Sequence, residues 1–189
     1  MTLLDSLHLA AAEYDYAIIE AVYRADLNRQ ILEFVHEKID PEDVSQGPEG
    51  TGKESKPHIT ILYGIKEHTP DTQKIQQVIQ NHPAMNSVRW LGLNKFESSA
   101  YDVLIIEIDT PAGQELFKDF NNIYPDSMNS YPEYKPHTTL AYLKKGKADD
   151  YIKEYSQAFV DGSVPIQWIR FAFNDTQTDF HPASGQPKD

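Results

Sequence analysis

One short segment occurs twice in this sequence, and the repeat constrains the fold more than any other feature. Residues 56–63 read KPHITILY, and residues 135–142 read KPHTTLAY. Lysine, proline, histidine, one threonine and the final tyrosine match position for position, 79 residues apart. A Pro-His-x-Thr string is expected about 0.02 times by chance in a chain of this composition, so two copies indicate two similar structural halves.

Each copy has the pattern of a β-strand that begins at its histidine. Side chains at i and i+2 of a strand point to the same face, so His58 stands beside Thr60 and His137 beside Thr139. Proline is tolerated at the first residue of a strand or at an edge, which places both histidines at strand beginnings. Two equivalent strands related by an approximate twofold axis would bring both His/Thr pairs to one cleft.

Two imidazoles and two hydroxyls in one cleft suit chemistry at a phosphodiester. Because histidine titrates near neutrality, one neutral imidazole can accept a proton while an imidazolium donates another. The threonine hydroxyls can donate to the phosphoryl oxygens, and this chemistry requires no metal or other cofactor. The remaining histidines lack such a context and are interpreted as ordinary surface or core residues: His8, His36, His68, His82 and His181.

Apolar periodicity predicts strands and helices in the approximate order βαβαββαβαβ. Strands are predicted over residues 16–21, 58–65, 88–96, 102–109, 137–143 and 164–173, with the third and fourth forming a hairpin. Helices are predicted around residues 27–38, 75–79, 111–124 and 148–159. We expect one α+β domain over residues 1–180, with two pseudo-symmetric halves around a central cleft, and a flexible tail over residues 181–189.

Residues 40–55 interrupt this pattern with proline, glycine and acidic residues. A loop of this length in a small domain is usually functional or disordered, and we interpret the segment as a candidate lid. Its GPEGTGK string resembles a P-loop in spacing. Glu54 stands where serine or threonine would hold magnesium, however, and no strand and helix frame the string, so we reject a P-loop.

Charge and composition narrow the function classes. The chain has 17 basic and 29 acidic residues and a formal charge of −12, which disfavours long nucleic acid but not a small nucleotide. It contains no cysteine, so thiolate nucleophiles, disulfides and cysteine zinc sites are excluded. Without a basic leader or an apolar run of about 18 residues, we expect a cytoplasmic protein with no membrane partner.

The paired His-x-Thr motifs resemble the signature of the two-histidine (2H) phosphoesterases, a superfamily with RNA ligase-like and cyclic phosphodiesterase members. The resemblance covers about residues 14–175. It implies a bilobal fold with a central cleft and no metal. It also implies that His58 and His137 are the catalytic histidines and that Thr60 and Thr139 contact the phosphate.

Within this superfamily, the sequence is similar to the phage-encoded anti-CBASS phosphodiesterases. The similar stretches are HITILYG, FE followed by YDVL, and YKPHTTLAY followed by KKG. Those enzymes destroy the cyclic di- and trinucleotide messengers of bacterial antiphage signalling, such as cyclic GMP-AMP. The resemblance implies a hydrolase that acts on 3′-5′ bonds of such rings, inside the host bacterial cell if the chain is phage-encoded.

The implied reaction uses one histidine to deprotonate a ribose 2′-OH and the other to protonate the departing 5′-oxygen. The near-symmetric repeat does not assign the two roles. Aromatic side chains could stack on the bases, with about 1–3 kcal/mol per base. Because terminal strands flank the cleft in this fold, Tyr16 and Trp168 are the expected stacking residues, with Tyr14 as a further candidate.

Two other functions fit the same residues. A 2H enzyme could instead act on RNA ends that carry 2′,3′-cyclic phosphates, or the protein could sequester cyclic nucleotides without cleaving them. Two complete His-x-Thr pairs favour turnover, because binding alone does not need two titrating groups beside a phosphate. Base preference, ring size and oligomeric state stay open at this point.

Overall fold

Seven antiparallel strands and four helices form the part of the chain that the computed structural model describes, residues 16–46, 52–127 and 133–188. The strands are β1 (Ala17–Tyr23), β2 (His58–Ile65), β3 (Ser87–Glu97), β4 (Tyr101–Asp109), β5 (His137–Lys144), β6 (Val160–Phe173) and β7 (Thr176–Phe180). The helices are α1 (Ala25–Lys38), α2 (Thr72–Gln80), α3 (Pro111–Ile123) and α4 (Ala148–Glu154). The predicted α+β class is confirmed.

The strand order β2-β1-β6-β3-β4-β5 places the two repeat strands at opposite ends of one sheet. The long strand β6 joins the halves, since its first part pairs with β3 and its later part with β1 and β7. The sheet is nevertheless curled so far that β2 and β5 are in contact. The Tyr134 hydroxyl spans this contact and donates to the backbone carbonyl of Thr60 at 3.1 Å.

The helices cover one face of the sheet and leave the histidine face open. The first four residues of β2 and of β5 alternate in the same way between partly exposed and buried. Ile59 and Thr138 point into the core, next to their histidines. Helix α3 packs against β2, α1 against β5, and α4 against β3 and β4. The described helices include none that is long and apolar enough to cross a membrane.

Helix α4 is shorter and β6 longer than predicted. The helix ends at Glu154, and Phe159 has a positive φ of 56° immediately before β6 begins. The Phe159 ring packs edge-on against Phe34 and Trp90, with centroid distances of 5.1 and 5.3 Å. The apolar spacing over residues 155–159 therefore reflects contacts with a distant helix and strand, and not a continuation of α4.

The C-terminal residues add structure that periodicity did not predict. Strand β7 pairs with β6, and residues 181–188, expected to be a flexible tail, turn back onto it. The Lys188 N–H donates to the Asp179 carbonyl at 2.7 Å, and Phe180 forms a bridge with Pro187. Backbone hydrogen bonds hold this turn. Because they do not depend on apolar side chains, the sequence shows no apolar periodicity here.

The described ends of the 40–55 segment lie beside β5. The Ser45 N–H donates to the Tyr142 carbonyl at 2.9 Å, the Tyr142 N–H to the Gly52 carbonyl at 3.0 Å, and the Glu54 N–H to the Leu140 carbonyl at 2.8 Å. These bonds cover the otherwise free edge of the sheet. Residues 47–51, the middle of the candidate lid, lie outside the described residues.

Candidate active site

Both repeat histidines are anchored in the same way. The Nδ1 atom of His58 donates to the Lys56 carbonyl at 2.8 Å, and that of His137 to the Lys135 carbonyl at 2.7 Å. Because a carbonyl oxygen only accepts, the proton of each neutral ring lies on Nδ1. Each Nε2 atom is then the position at which the ring can accept or donate a proton.

The threonines of the two motifs offer free hydroxyls on the histidine face. In the described part of the chain, the side chains of Thr60 and Thr139 make no hydrogen bond. The neighbouring Thr138 faces the core, where its Oγ1 lies 2.7 Å from the Tyr23 hydroxyl oxygen. Two Nε2 atoms and two hydroxyls are thus available on one face where β2 meets β5.

The histidines are close enough to influence each other electrostatically. Burial is the main reason why the pKa of His137 lies below its usual value. The hydrogen bond to the Lys135 carbonyl opposes this shift, and the nearby charge of His58 adds to it. His137 is therefore predominantly neutral at pH 7, the form in which Nε2 can accept a proton.

The surroundings of the two rings differ. A Glu20 carboxylate oxygen lies 3.7 Å from the Nε2 atom of His58. The Phe96 ring meets His137 edge-on, with centroids 4.7 Å apart and planes at 90°. Among the described residues, no carboxylate lies within ion-pair distance of His137, and no group of three or more histidine or acidic side chains is placed to hold a metal ion.

Of the predicted stacking residues, the structure places Trp168 on the face of the site. Both Trp168 and His58 are in register with Val22, so the two side chains share a face two strand spacings apart, roughly 10 Å. The Trp168 ring contacts His181 at a centroid distance of 4.6 Å, and the Lys188 ammonium lies 5.0 Å from its centroid.

The structure does not bring Tyr16 to the two histidines. Tyr16 precedes β1, whose first residue pairs with Ile65 at the far end of β2, whereas His58 pairs with Val22. Tyr16 is six residues from Val22, so the separation along the strand is roughly 20 Å. The antiparallel pairing of β1 with β2 is the reason, since it puts the start of one strand beside the end of the other. Tyr14 lies outside the described residues.

Sequence reasoning missed two neighbours of the histidines, Glu20 and Phe96, and it missed Arg170, which lies against Glu20. A signal for Glu20 and Arg170 was present, because each is a charged residue inside an otherwise apolar strand segment, AIIEAVY and WIRFAF. A charge at such a position points to the open face of the sheet or to a buried partner. Phe96 carried no comparable signal.

Comparisons with known proteins identify the family of this chain and similar structures. A family model described as the 2′-5′ RNA ligase superfamily matches residues 27–172, most of the chain and both histidines. Among curated proteins, none matches the sequence.

Similar solved structures are distant in sequence. Usb1 of Kluyveromyces marxianus is 10% identical with a TM-score of 0.48, covering 87% of this chain and 97% of its own. LigT of E. coli complexed with 3′-AMP is 13% identical with a TM-score of 0.48, covering 91% and 90%. TT0787 of Thermus thermophilus is 13% identical with a TM-score of 0.48, covering 92% of each chain.

Proposed function

Because the chain belongs to the 2′-5′ RNA ligase superfamily, whose members are phosphoesterases, we propose that it is a metal-independent phosphodiesterase that hydrolyses 3′-5′ bonds of cyclic di- and trinucleotides. One observation carries the proposal. Two histidines anchored through Nδ1 present their Nε2 atoms, together with two free threonine hydroxyls, on one face where β2 and β5 meet. This set supplies a base, an acid and two phosphate donors.

The first step breaks the ring. One Nε2 takes the proton of a ribose 2′-OH, the 2′-oxygen attacks the adjacent phosphorus, and the bond from phosphorus to the 5′-oxygen breaks. The other histidine, as imidazolium, gives its Nε2 proton to the leaving 5′-oxygen. The hydroxyls of Thr60 and Thr139 donate to the non-bridging oxygens, where charge accumulates. The product is linear and ends in a 2′,3′-cyclic phosphate.

In the second step, hydrolysis of that cyclic phosphate, the two histidines exchange their acid and base roles. The histidine that gave its proton now takes one from water, and the water oxygen attacks phosphorus. The other histidine returns the proton it holds to the departing ribose oxygen, which leaves a phosphomonoester. Both histidines end the cycle in their starting forms, so no other proton source is consumed.

The net negative charge of the chain and the positions of two aromatic rings near the histidines favour a small substrate. The formal charge of −12 opposes the approach of a long polyanion. Trp168 lies in the half of the sheet that contains His58, and Phe96 contacts His137 in the other half. We assign these rings to the two bases of a cyclic dinucleotide, since stacking contributes about 1–3 kcal/mol per base.

In a bacterial host, linearising such a ring would silence the antiphage signal that it carries. The protein would then act in the cytoplasm, against CBASS defence. The same active-site chemistry would open 2′,3′-cyclic phosphates at RNA ends, and a protein that only bound the ring would act as a sponge. The assay that follows separates these three functions.

The test measures binding and cleavage of 3′,3′-linked cyclic dinucleotides, a cyclic trinucleotide and an RNA with a 2′,3′-cyclic end in excess EDTA, with products resolved by chromatography and mass spectrometry. We expect linear products from the wild type and a loss of at least about 10²-fold in rate for His58→Ala and for His137→Ala. His36→Ala, which removes an exposed histidine on α1, is the matched control and should retain the wild-type rate.

Intact rings with the wild-type protein would reject the proposal. If the rings bind without cleavage, the sponge function holds. If only RNA with a 2′,3′-cyclic end is opened, the RNA-end function holds.

A further inference from the structure

The two His/Thr pairs are equivalent in sequence but face different neighbours across the sheet. Thr60 of β2 is in register with Glu20 of β1, whereas Thr139 of β5 is in register with Ile105 of β4. Ile105 is almost fully buried, so the second pair has an apolar neighbour where the first has a carboxylate. The pseudo-symmetry of the site is therefore broken at the position that faces each threonine.

Glu20 is held in place on the histidine face by a series of alternating charges. Its side chain is only 13% exposed, with one carboxylate oxygen 3.7 Å from His58 Nε2 and the other 3.6 Å from an Arg170 Nη atom. Arg170 in turn donates twice to Asp179 on β7, at 2.6 and 3.2 Å. Arg170 therefore has a partner of its own and keeps Glu20 directed at the imidazole.

A carboxylate beside an imidazole favours the charged ring, and limited exposure reduces screening by solvent. The charged groups facing His58 from the strands around it are Glu20 from β1, Arg170 from β6 and His137 from β5, with Asp179 of β7 behind Arg170. Glu20 is the one among them that lies against His58 Nε2, the atom that would give the proton.

The other ring has a carboxylate on the neighbouring strand but no ion pair. Glu107 of β4 is in register with His137, but it is exposed and accepts from Asn94 Nδ2 at 2.8 Å. The Phe96 ring meets His137 edge-on, and among the described residues no carboxylate lies within ion-pair distance of it. An apolar neighbour favours the uncharged ring, which is the form a general base needs.

We propose that Glu20 is a positioning residue that makes His58 the general acid of the first step and leaves His137 as the general base. This inference rests on the proposed function, because it assigns roles within the same reaction. With His58 protonated, the charges of Glu20, Arg170, Asp179 and the imidazolium sum to zero. A phosphate can then approach His58 without meeting an uncompensated carboxylate.

A substrate with a better leaving group tests the role of His58. In a cyclic dinucleotide whose bridging 5′-oxygens are replaced by sulfur, the thiolate leaves without protonation. We expect the rate deficit of His58→Ala to shrink by at least about tenfold on this substrate and that of His137→Ala to persist. Rescue of His137→Ala instead, or of neither variant, would overturn the assignment.

The pH dependence of kcat tests Glu20. Its descending limb reports loss of the acid's proton, so Glu20→Gln should move that limb to lower pH. The rate should then fall several-fold at pH 8 and little at pH 6, with KM nearly unchanged. Glu107→Gln, which neutralises an exposed carboxylate in register with His137, should leave the descending limb in place. An unmoved limb in Glu20→Gln would contradict the inference.

Comparison of the imidazole resonances by NMR at a fixed pH, without substrate, separates this inference from the proposed function. We expect the ring resonances of His58 to change position in Glu20→Gln and those of His137 to stay. A protein that cleaves cyclic dinucleotides but shows no change at His58 refutes the inference alone. A protein that cleaves none of them, but shows the change, refutes the proposed function and leaves the coupling of Glu20 to His58 intact.

Discussion

Thr138 and Thr139 are neighbours in the sequence with opposite environments. Thr138 is fully buried and its hydroxyl is engaged by Tyr23, whereas the Thr139 side chain is partly exposed on the histidine face with its hydroxyl free in the described part of the chain. Strand alternation alone produces this difference. At the residue scale, the face on which a side chain lies decides whether it can serve catalysis or packing.

Replacing Thr139 with valine tests its proposed contact with phosphate. Valine keeps the shape but removes the donor, so we expect kcat on a cyclic dinucleotide to fall by about 10²-fold. The free energy of unfolding should change by less than about 0.5 kcal/mol, because no hydrogen bond in the structure is lost. Thr139→Ser, which keeps the hydroxyl, should retain most of the rate. Wild-type kinetics in Thr139→Val would show that this hydroxyl does not contact the phosphate.

At the scale of elements, a buried carboxylate fixes the turn that connects β5 to α4. Asp102, near the start of β4, accepts from Lys145 Nζ at 2.9 Å and from the Gly146 N–H at 2.8 Å. Gly146 has a φ of +86°, a left-handed conformation that favours glycine. Burial works against ionisation, but the two hydrogen bonds and the nearby lysine charges hold the pKa of Asp102 below its usual value.

Asp102→Asn should destabilise the protein in a pH-dependent way. A depressed pKa in the folded state means that the stabilisation is complete above the unfolded value of about 3.9 and is lost as pH falls through the folded value. We expect the free energy of unfolding to be about 2 kcal/mol lower than wild type at pH 7, with the difference shrinking below pH ~4. Urea denaturation across pH measures it. An equal difference at every pH would contradict the electrostatic cause.

At the scale of the whole molecule, one buried hydrogen-bond network connects the two halves. The Tyr23 hydroxyl on β1 lies 2.7 Å from Thr138 Oγ1 on β5 and accepts from Trp90 Nε1 on β3 at 3.2 Å. Burial raises the pKa of Tyr23 well above its usual value, so the hydroxyl stays protonated. The network joins β5, which carries the second His/Thr pair, to β1 and β3 on the core side of the sheet.

Tyr23→Phe should therefore weaken the contact between the halves. It leaves the Trp90 N–H and the Thr138 hydroxyl buried without this partner, and we expect a loss of about 2 kcal/mol in the free energy of unfolding by urea denaturation. A double-mutant cycle with Thr138→Val should show coupling of at least about 0.5 kcal/mol. Tyr101→Phe removes a hydroxyl that makes no hydrogen bond among the described residues, and it should change stability by less than about 0.5 kcal/mol. Additive effects in the cycle would refute the network.

Local sequence pattern predicted the elements well where neighbours along the chain decide the structure. The bounds of β2 are confirmed at both ends, the β3–β4 hairpin is confirmed, and α1 ends at Lys38 as predicted. The pattern failed over residues 155–159, where apolar side chains pack against Phe34 and Trp90, and at β7, whose exposed residues carry no apolar alternation. Over residues 155–159 distant contacts determine the conformation. Strand β7 instead pairs through backbone hydrogen bonds with the preceding strand β6, and Phe173 is in register with Thr176.

The sequence by itself determined the two His/Thr pairs, because alternation along a strand is local and the repeat places each pair at a strand start. Only the tertiary structure decided what surrounds them. Antiparallel register put Glu20 beside His58 and kept Tyr16 away from it, and curling of the sheet brought β2 to β5. Register and curvature arise from contacts between residues far apart in the chain, which a single sequence does not display.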